Sequence, residues 1–154
     1  MEIKELKNRP DIDQHKKLYA SYNQFDKLLM ELRRKELTNE TVNSINDGIA
    51  RVNSVTGSEK ELRKQIKNTQ SRIVKLIEKE HRLVMKNHYR NTWLAVGMAV
   101  FGIPLGVAFS ASLGNMAFIG IGLPLGMVIG IAVGSGMDKK AYEEGRQIDL
   151  EIKH

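Results

Sequence analysis

The stretch TWLAVGMAVFGIPLGVAFSAS at residues 92–112, the link Leu113-Gly114-Asn115, and MAFIGIGLPLGMVIGIAVGSG at residues 116–136 decide the fold. Between Arg90 and Asp138 there is no charged side chain. One helix needs about 20 apolar residues to cross a bilayer, and this gap holds enough for two. Each segment makes a helix of roughly 31 Å at 1.5 Å per residue, against a hydrocarbon core of about 30 Å. The Gly-Asn link is turn chemistry, so the two spans are expected to be antiparallel neighbours. An internal segment this long, behind a polar stretch, does not read as a signal peptide. The competing reading is a hairpin buried in a soluble protein. The chain's mean hydropathy of −0.33 leaves too little apolar surface elsewhere to cover it. The expected partner is the lipid bilayer, and the expected location is the cytoplasmic (inner) membrane, with two passes.

The spans repeat each other. Gly102-Ile103-Pro104-Leu105-Gly106 is echoed by Gly122-Leu123-Pro124-Leu125-Gly126, and Gly114 by Gly134. Small residues recur every fourth position, as Gly102, Gly106, Ser110 and Gly114 and then as Gly122, Gly126, Gly130 and Gly134. Every fourth residue shares a helix face. In lipid, helices associate where small residues let backbones approach. Glycine otherwise costs a helix about 1 kcal/mol relative to alanine, so eight small residues in register, seven of them glycine, point to close packing. Folding about Gly114 sets Gly102 level with Gly126 and Gly106 level with Gly122. Two readings follow: the ladders close the hairpin on itself, or one faces another copy. The all-glycine second ladder is the one expected to serve a homo-oligomer. Pro104 and Pro124 each remove a backbone donor and are expected to kink the helices at similar depth.

Positive residues flank the spans and none lies in the link. Both termini should therefore be cytoplasmic. Lys86, Tyr89, Arg90, Trp93, Lys139 and Lys140 are the expected anchors at the membrane interface. This topology accounts for the net charge of +6 and an isoelectric point near 9.5. No nucleic-acid motif competes with it, so no nucleic-acid partner is expected.

Residues 1–91 are polar and helix-patterned. Leu18, Tyr22, Phe25, Leu29 and Leu32 form a heptad-like stripe. Val42, Ile45, Ile49 and Val52 form a second, and Leu62, Ile66, Thr69, Ile73, Leu76, Glu80 and Leu83 a third. Thr38-Asn39 suits a helix start, Thr56-Gly57 a stop, and Ser58 with Glu61 a capping box. The expected helices are about 11–37, 39–55 and 58–91. The third has no breaker before Trp93 and is expected to continue into the first span. The expected fold is all-α: a cytoplasmic antiparallel helical bundle or coiled coil (1–91), a transmembrane hairpin (92–136) and a cytoplasmic tail (137–154). In the tail, Ile148, Leu150 and Ile152 alternate, while Ala141, Ile148 and Ile152 suit one helix face, so its period is ambiguous.

Catalytic chemistry is sparse. There is no cysteine, and His15, His81, His88 and His154 have no ligand-like pairing within a helical turn, so no metal or cofactor is expected. No phosphate loop, dinucleotide fingerprint or nucleophile elbow occurs. The spans hold no ionisable residue, as ion-coupled transporters usually need. Arg82 and His88 resemble the Arg-x(4–6)-His signature of HEPN ribonucleases, but that spacing is permissive and Leu83 sits where that family usually has a polar residue. The stretch Lys86-Asn87-His88-Tyr89-Arg90-Asn91-Thr92-Trp93, the twin Pro-Gly spans and Asp138-Lys139-Lys140 together resemble a set of bacterial two-span membrane proteins with glycine-zipper-like segments. That resemblance covers mainly residues 58–148 and implies no activity. The expected function is a non-enzymatic membrane-anchored interaction module that self-associates and offers its bundle to a cytoplasmic protein partner. The alternative is a homo-oligomeric pore, for which the ladders, Ser110, Ser112 and Asn115 are the candidate lining.

Overall fold

The computed structural model describes residues 2–152; Met1, Lys153 and His154 lie outside the described residues. The chain is all-α apart from one short strand pair, and it divides into two compact units. The first comprises Met1–Met85 and Ile148–His154, the second Lys86–Gln147.

In the first unit a 3-10 turn (Pro10–Gln14) precedes three helices, α1 (Lys16–Arg33), α2 (Asn39–Asn53) and α3 (Glu59–His81). The first helix starts later than expected because His15 leaves helical geometry, at φ −115° and ψ 82°, between the turn and α1. Thr38 caps α2 by accepting the amide of Thr41. Ser58 and Glu61 close the capping box on α3 in both directions. Both α1 and α2 pack on α3. Phe25, Leu28, Leu29, Leu32, Ile45, Ile49, Ile66 and Ile77 are fully buried between them.

Two features depart from expectation. On α3 the buried face runs Leu62, Ile66, Thr69, Gln70, Ile73 and Ile77, leaving Leu76 partly exposed and Glu80 exposed. Within the chain the stripe follows the 3.6-residue period of a straight helix rather than a heptad seam, and the three helices pack as a bundle. The third helix also does not continue into the first span. It stops at His81, with Arg82 left-handed at φ 54°. The amide of Leu83 reaches back to the carbonyl of Ile77 at 3.2 Å, closing the last turn. Leu83, Val84 and Met85 are all buried. Leu83 and Met85 join the bundle's core as the helix stops, although no glycine or proline marks the place.

Strand β1 (Val84–Met85) pairs with β2 (Gln147–Ile148), where the tail returns. Ile148 is fully buried in the first core, with Leu150 and Ile152 packed partly against it. The tail's ambiguous period is thus resolved as alternation.

The second unit is a helical hairpin. Its first arm runs from His88 to Leu113, as α4 (His88–Gly97), a π-helical turn (Met98–Gly102) and α5 (Ile103–Leu113). Its second arm is a 3-10 turn (Met116–Phe118) followed by α6 (Ile119–Glu143). Both arms are long and apolar enough to cross a bilayer. Gly114 makes the turn at φ 64°, a conformation glycine adopts without strain. Helix α6 extends seven residues beyond the expected span, so the tail begins as helix.

Candidate functional site

The candidate site is the interior of the hairpin and the charged end that closes it. Its interior is backbone. Side-chain positions facing inward are Gly97, Gly102, Gly106 and Ser110 on the first arm and Gly122, Gly126, Gly130 and Gly134 on the second, all buried. A Cβ added to Gly126 would lie 2.6 Å from the amide nitrogen of Gly102. One on Gly97 would lie 2.7 Å from Cα of Gly130, and one on Gly134 would lie 2.6 Å from the carbonyl oxygen of Tyr89. These distances exclude any side chain. Partners run in opposite chain order, Gly106 by Ile119, Gly102 by Gly122, and Gly97 by Gly126 and Gly130. The arms are therefore antiparallel, and their glycines interdigitate rather than sit level: Gly122 lies against both Gly102 and Gly106, and Gly126 against both Gly97 and Gly102.

The all-glycine second ladder, expected to face another copy, is thus filled by the first arm of its own chain. Two membership details also change. Gly114 would have nothing within 4 Å of an added Cβ, so it serves the turn and not the packing. Gly97 joins the packing although it lies five residues before Gly102. The π-turn makes this work, because the amide of Ile103 reaches back to the carbonyl of Met98. That turn absorbs one extra residue and keeps both glycines on the inner face. Pro104 is the second residue of α5, just after the π-turn, whereas α6 continues as helix through Pro124.

The large side chains point outward. Val100, Ile103, Val107 and Leu113 are each more than half exposed on the first arm, and Met116 and Val128 are 77% and 66% exposed on the second. Ser110, a candidate pore-lining residue, is buried and donates to Sδ of Met116 at 3.5 Å. Asn115 accepts the amide of Ala117 at 2.9 Å, capping the 3-10 turn.

The charged end is closed by Asp138, a residue not singled out as functional from the sequence. The residue is buried, at 7% exposure. Oδ1 accepts the amide of Tyr89 at 3.0 Å and Oδ2 accepts the amide of Arg90 at 2.9 Å. Helix α4 has no side-chain cap of its own, since Asn87 is left-handed at φ 60°. An aspartate from the other arm supplies the cap, meeting two orphan amides and the positive end of the helix dipole. The first charged residue after the apolar gap thus binds the last residue before it. Gln147 Nε2 donates to the backbone carbonyl of Asp138 at 3.3 Å.

Beyond α6, Arg146 Nε donates to Glu144 Oε2 at 2.7 Å, and a second guanidinium nitrogen donates to the same oxygen. This hydrogen bond holds the Glu144 carboxyl below its usual range. Bonds to Glu144 and then to Tyr89 raise the Arg146 guanidinium. Of the expected interface residues, Tyr89 and Trp93 are half-buried beside Gly134 and Gly130, while Lys86, Arg90, Lys139 and Lys140 are exposed. Lys139 and Lys140 approach Glu143 and Glu144 at 3.8 and 3.9 Å.

Arg82 caps the C-terminus of α3 and His88 opens α4, so the two belong to different units. Among the described residues no three His, Asp or Glu side chains gather as a metal site. Comparison with known proteins finds no matching family model, curated protein or solved structure.

Proposed function

We propose that this chain is a non-enzymatic membrane protein, anchored by the hairpin in the cytoplasmic membrane. In this reading it presents the helical bundle to the cytosol as an interaction module that self-associates. The observation that carries it is the inverted packing of the hairpin, with glycine backbone inside and branched or aromatic side chains outside. In water such a surface is an aggregation liability. In lipid it is the favourable arrangement, because tails solvate the large side chains and the glycine rows supply dense contact. The lysines and arginines at one end of the hairpin, and none in its link, favour both termini on the cytosolic side. With the second glycine row occupied by the chain's own first arm, self-association falls to the bundle.

The chain lacks cysteine, so single labels are clean. A membrane-impermeant maleimide applied to intact cells should modify Leu113→Cys in the link and leave Glu36→Cys in the bundle unmodified until lysis. The protein should stay with membranes through an alkaline wash. Recovery of the full chain as a soluble species without detergent, with both cysteines protected in intact cells, would refute the anchoring. Native mass spectrometry in mild detergent reports the self-association, and a strict monomer at high concentration would remove that part.

A further inference from the structure

The first unit carries a second built feature, in which an extended segment is read by helix side chains. Residues Glu2–Arg9 have no regular secondary structure, yet the backbone is bonded along its length. Asn46 on α2 accepts the amide of Lys4 through Oδ1 at 2.8 Å and donates through Nδ2 to the carbonyl of Glu2 at 3.0 Å. Asn53 repeats the arrangement, accepting from Lys7 at 2.8 Å and donating to Glu5 at 3.3 Å. Each carboxamide therefore brackets residues i and i+2, presenting one donor and one acceptor as the edge of a neighbouring strand would. The two brackets are seven residues apart on the helix, about 10.5 Å. They engage the arm three residues apart, about 10 Å of extended chain. Helix and strand repeats coincide over this interval, so two asparagines read one extended backbone.

The opposite side is equally specific. Arg33 on α1 donates to the carbonyls of Ile3 and Lys4 at 3.2 and 2.9 Å, and the Tyr22 hydroxyl donates to Lys7 at 2.8 Å. Arg9 donates to the carbonyls of Val52, Asn53 and Val55 at the end of α2, closest to Val55 at 2.8 Å. Ile3 is buried, Leu6 packs partly against the core, and Glu2, Lys4, Glu5, Lys7 and Asn8 are exposed.

We propose that α1 and α2 form a peptide-binding groove, and that the occupant it exchanges for its own arm is the Glu2–Arg9 arm of a second copy. All the bonds named above run from the arm to α1, α2 or Val55 just past α2, and none within the arm, so a donated arm keeps every one. The arm adjoins the turn at Pro10, and the non-helical His15 follows before α1. That junction is the hinge, and exchange of an identical element is a low-cost route to a dimer. The inference rests on the self-association part of the proposed function and does not need the membrane anchoring.

The test uses the full chain in mild detergent. Donor copies carry Leu6→photoleucine, a near-isosteric photo-crosslinker, and acceptor copies carry a size tag and no crosslinker. After mixing and illumination, donor–acceptor adducts should form, mapping to α1 or α2 of the acceptor and increasing with protein concentration. Acceptors with Asn46→Ala and Asn53→Ala should lower the adduct yield several-fold. Acceptors lacking residues 2–9 should raise it. Crosslinks confined to the donor's own helices at every concentration would overturn the exchange. If a dimer is nevertheless present by native mass spectrometry, self-association stands by another route and the arm is a fixed clip. An adduct yield indifferent to the asparagine substitutions would also overturn it, even if the arm-less acceptor fails to fold.

Discussion

At the residue scale, the hairpin gives glycine two opposite meanings a few atoms apart. Gly120 would have nothing within 4 Å of an added Cβ, whereas one on Gly122 would overlap the backbone of Gly102 and Gly106. Gly120→Ala should therefore stabilise the hairpin by up to about 1 kcal/mol through helix propensity. Gly122→Ala should destabilise it by about 1–3 kcal/mol, as overpacking does. Thermal unfolding in detergent, side by side, reads the difference in sign. Asp138 carries the other residue-scale claim. Asp138→Ala strands two amides and should cost about 1–3 kcal/mol, while Asp138→Asn, which keeps one acceptor oxygen, should cost less in the same melt. A third prediction concerns Tyr22. Burial raises its hydroxyl above the ordinary value near 10, with Asp26 adding to the effect and Arg9 opposing it. A raised folded pKa means this contribution is whole below pH 10 and lost as pH rises through the folded value. Proteolytic release of the Glu2–Arg9 arm should accelerate only above that point, and Tyr22→Phe should remove the pH step. The four-residue spacing made the glycines legible in the sequence. Asp138 was not, because a carboxylate that caps a distant helix resembles any charged residue at the end of a span. Asn46 and Asn53 likewise look like solvent-facing polar positions, and only their seven-residue spacing hints at a shared partner.

At the element scale, helix interiors were readable and their ends were less so. The capping box at Ser58 is a local signal and marks the start of α3 as expected. The stop at Arg82 has no local signal; it coincides with the burial of Leu83–Met85. The left-handed Arg82 and Asn87 bound this irregular stretch, and asparagine tolerates that conformation better than most residues. The π-turn was hidden for a related reason. A strict four-residue count ends the first ladder at Gly102, and only a turn with one additional residue brings Gly97 onto the same face. This is open to a deletion test. Removing Ala99 should convert the π-turn to ordinary helix with Gly97 four residues from its partner, leaving the hairpin folded. Removing Ala108 from α5 should rotate the flanking segments by about 100° relative to each other, turning Ser110 off the inner face. Circular dichroism and melting in detergent separate the two, with a large loss of stability expected for the Ala108 deletion alone.

At the scale of the whole molecule, the two units obey opposite packing rules. The bundle buries leucine and isoleucine and exposes charge, which is the arrangement water favours. The hairpin buries glycine and exposes valine, isoleucine, leucine and phenylalanine. The all-α class and the position of the apolar pair were plain from hydropathy. The partner of each ladder was not, since small-residue spacing marks close contact without naming what is contacted. Of the two expected forms, bundle or coiled coil, the single chain forms the bundle, and a heptad stripe and a straight-helix stripe diverge only after several turns, at Leu76 against Ile77. The central claim, that lipid covers the hairpin's outer face, can be measured with the chain's single tryptophan. Purified protein in bilayers containing brominated lipids should show Trp93 fluorescence quenched most strongly by bromines near the head groups. Moving the probe, with Trp93→Phe and Val128→Trp, should shift the strongest quenching toward the bilayer centre. Equal and negligible quenching at both positions, with a folded protein present, would contradict membrane insertion.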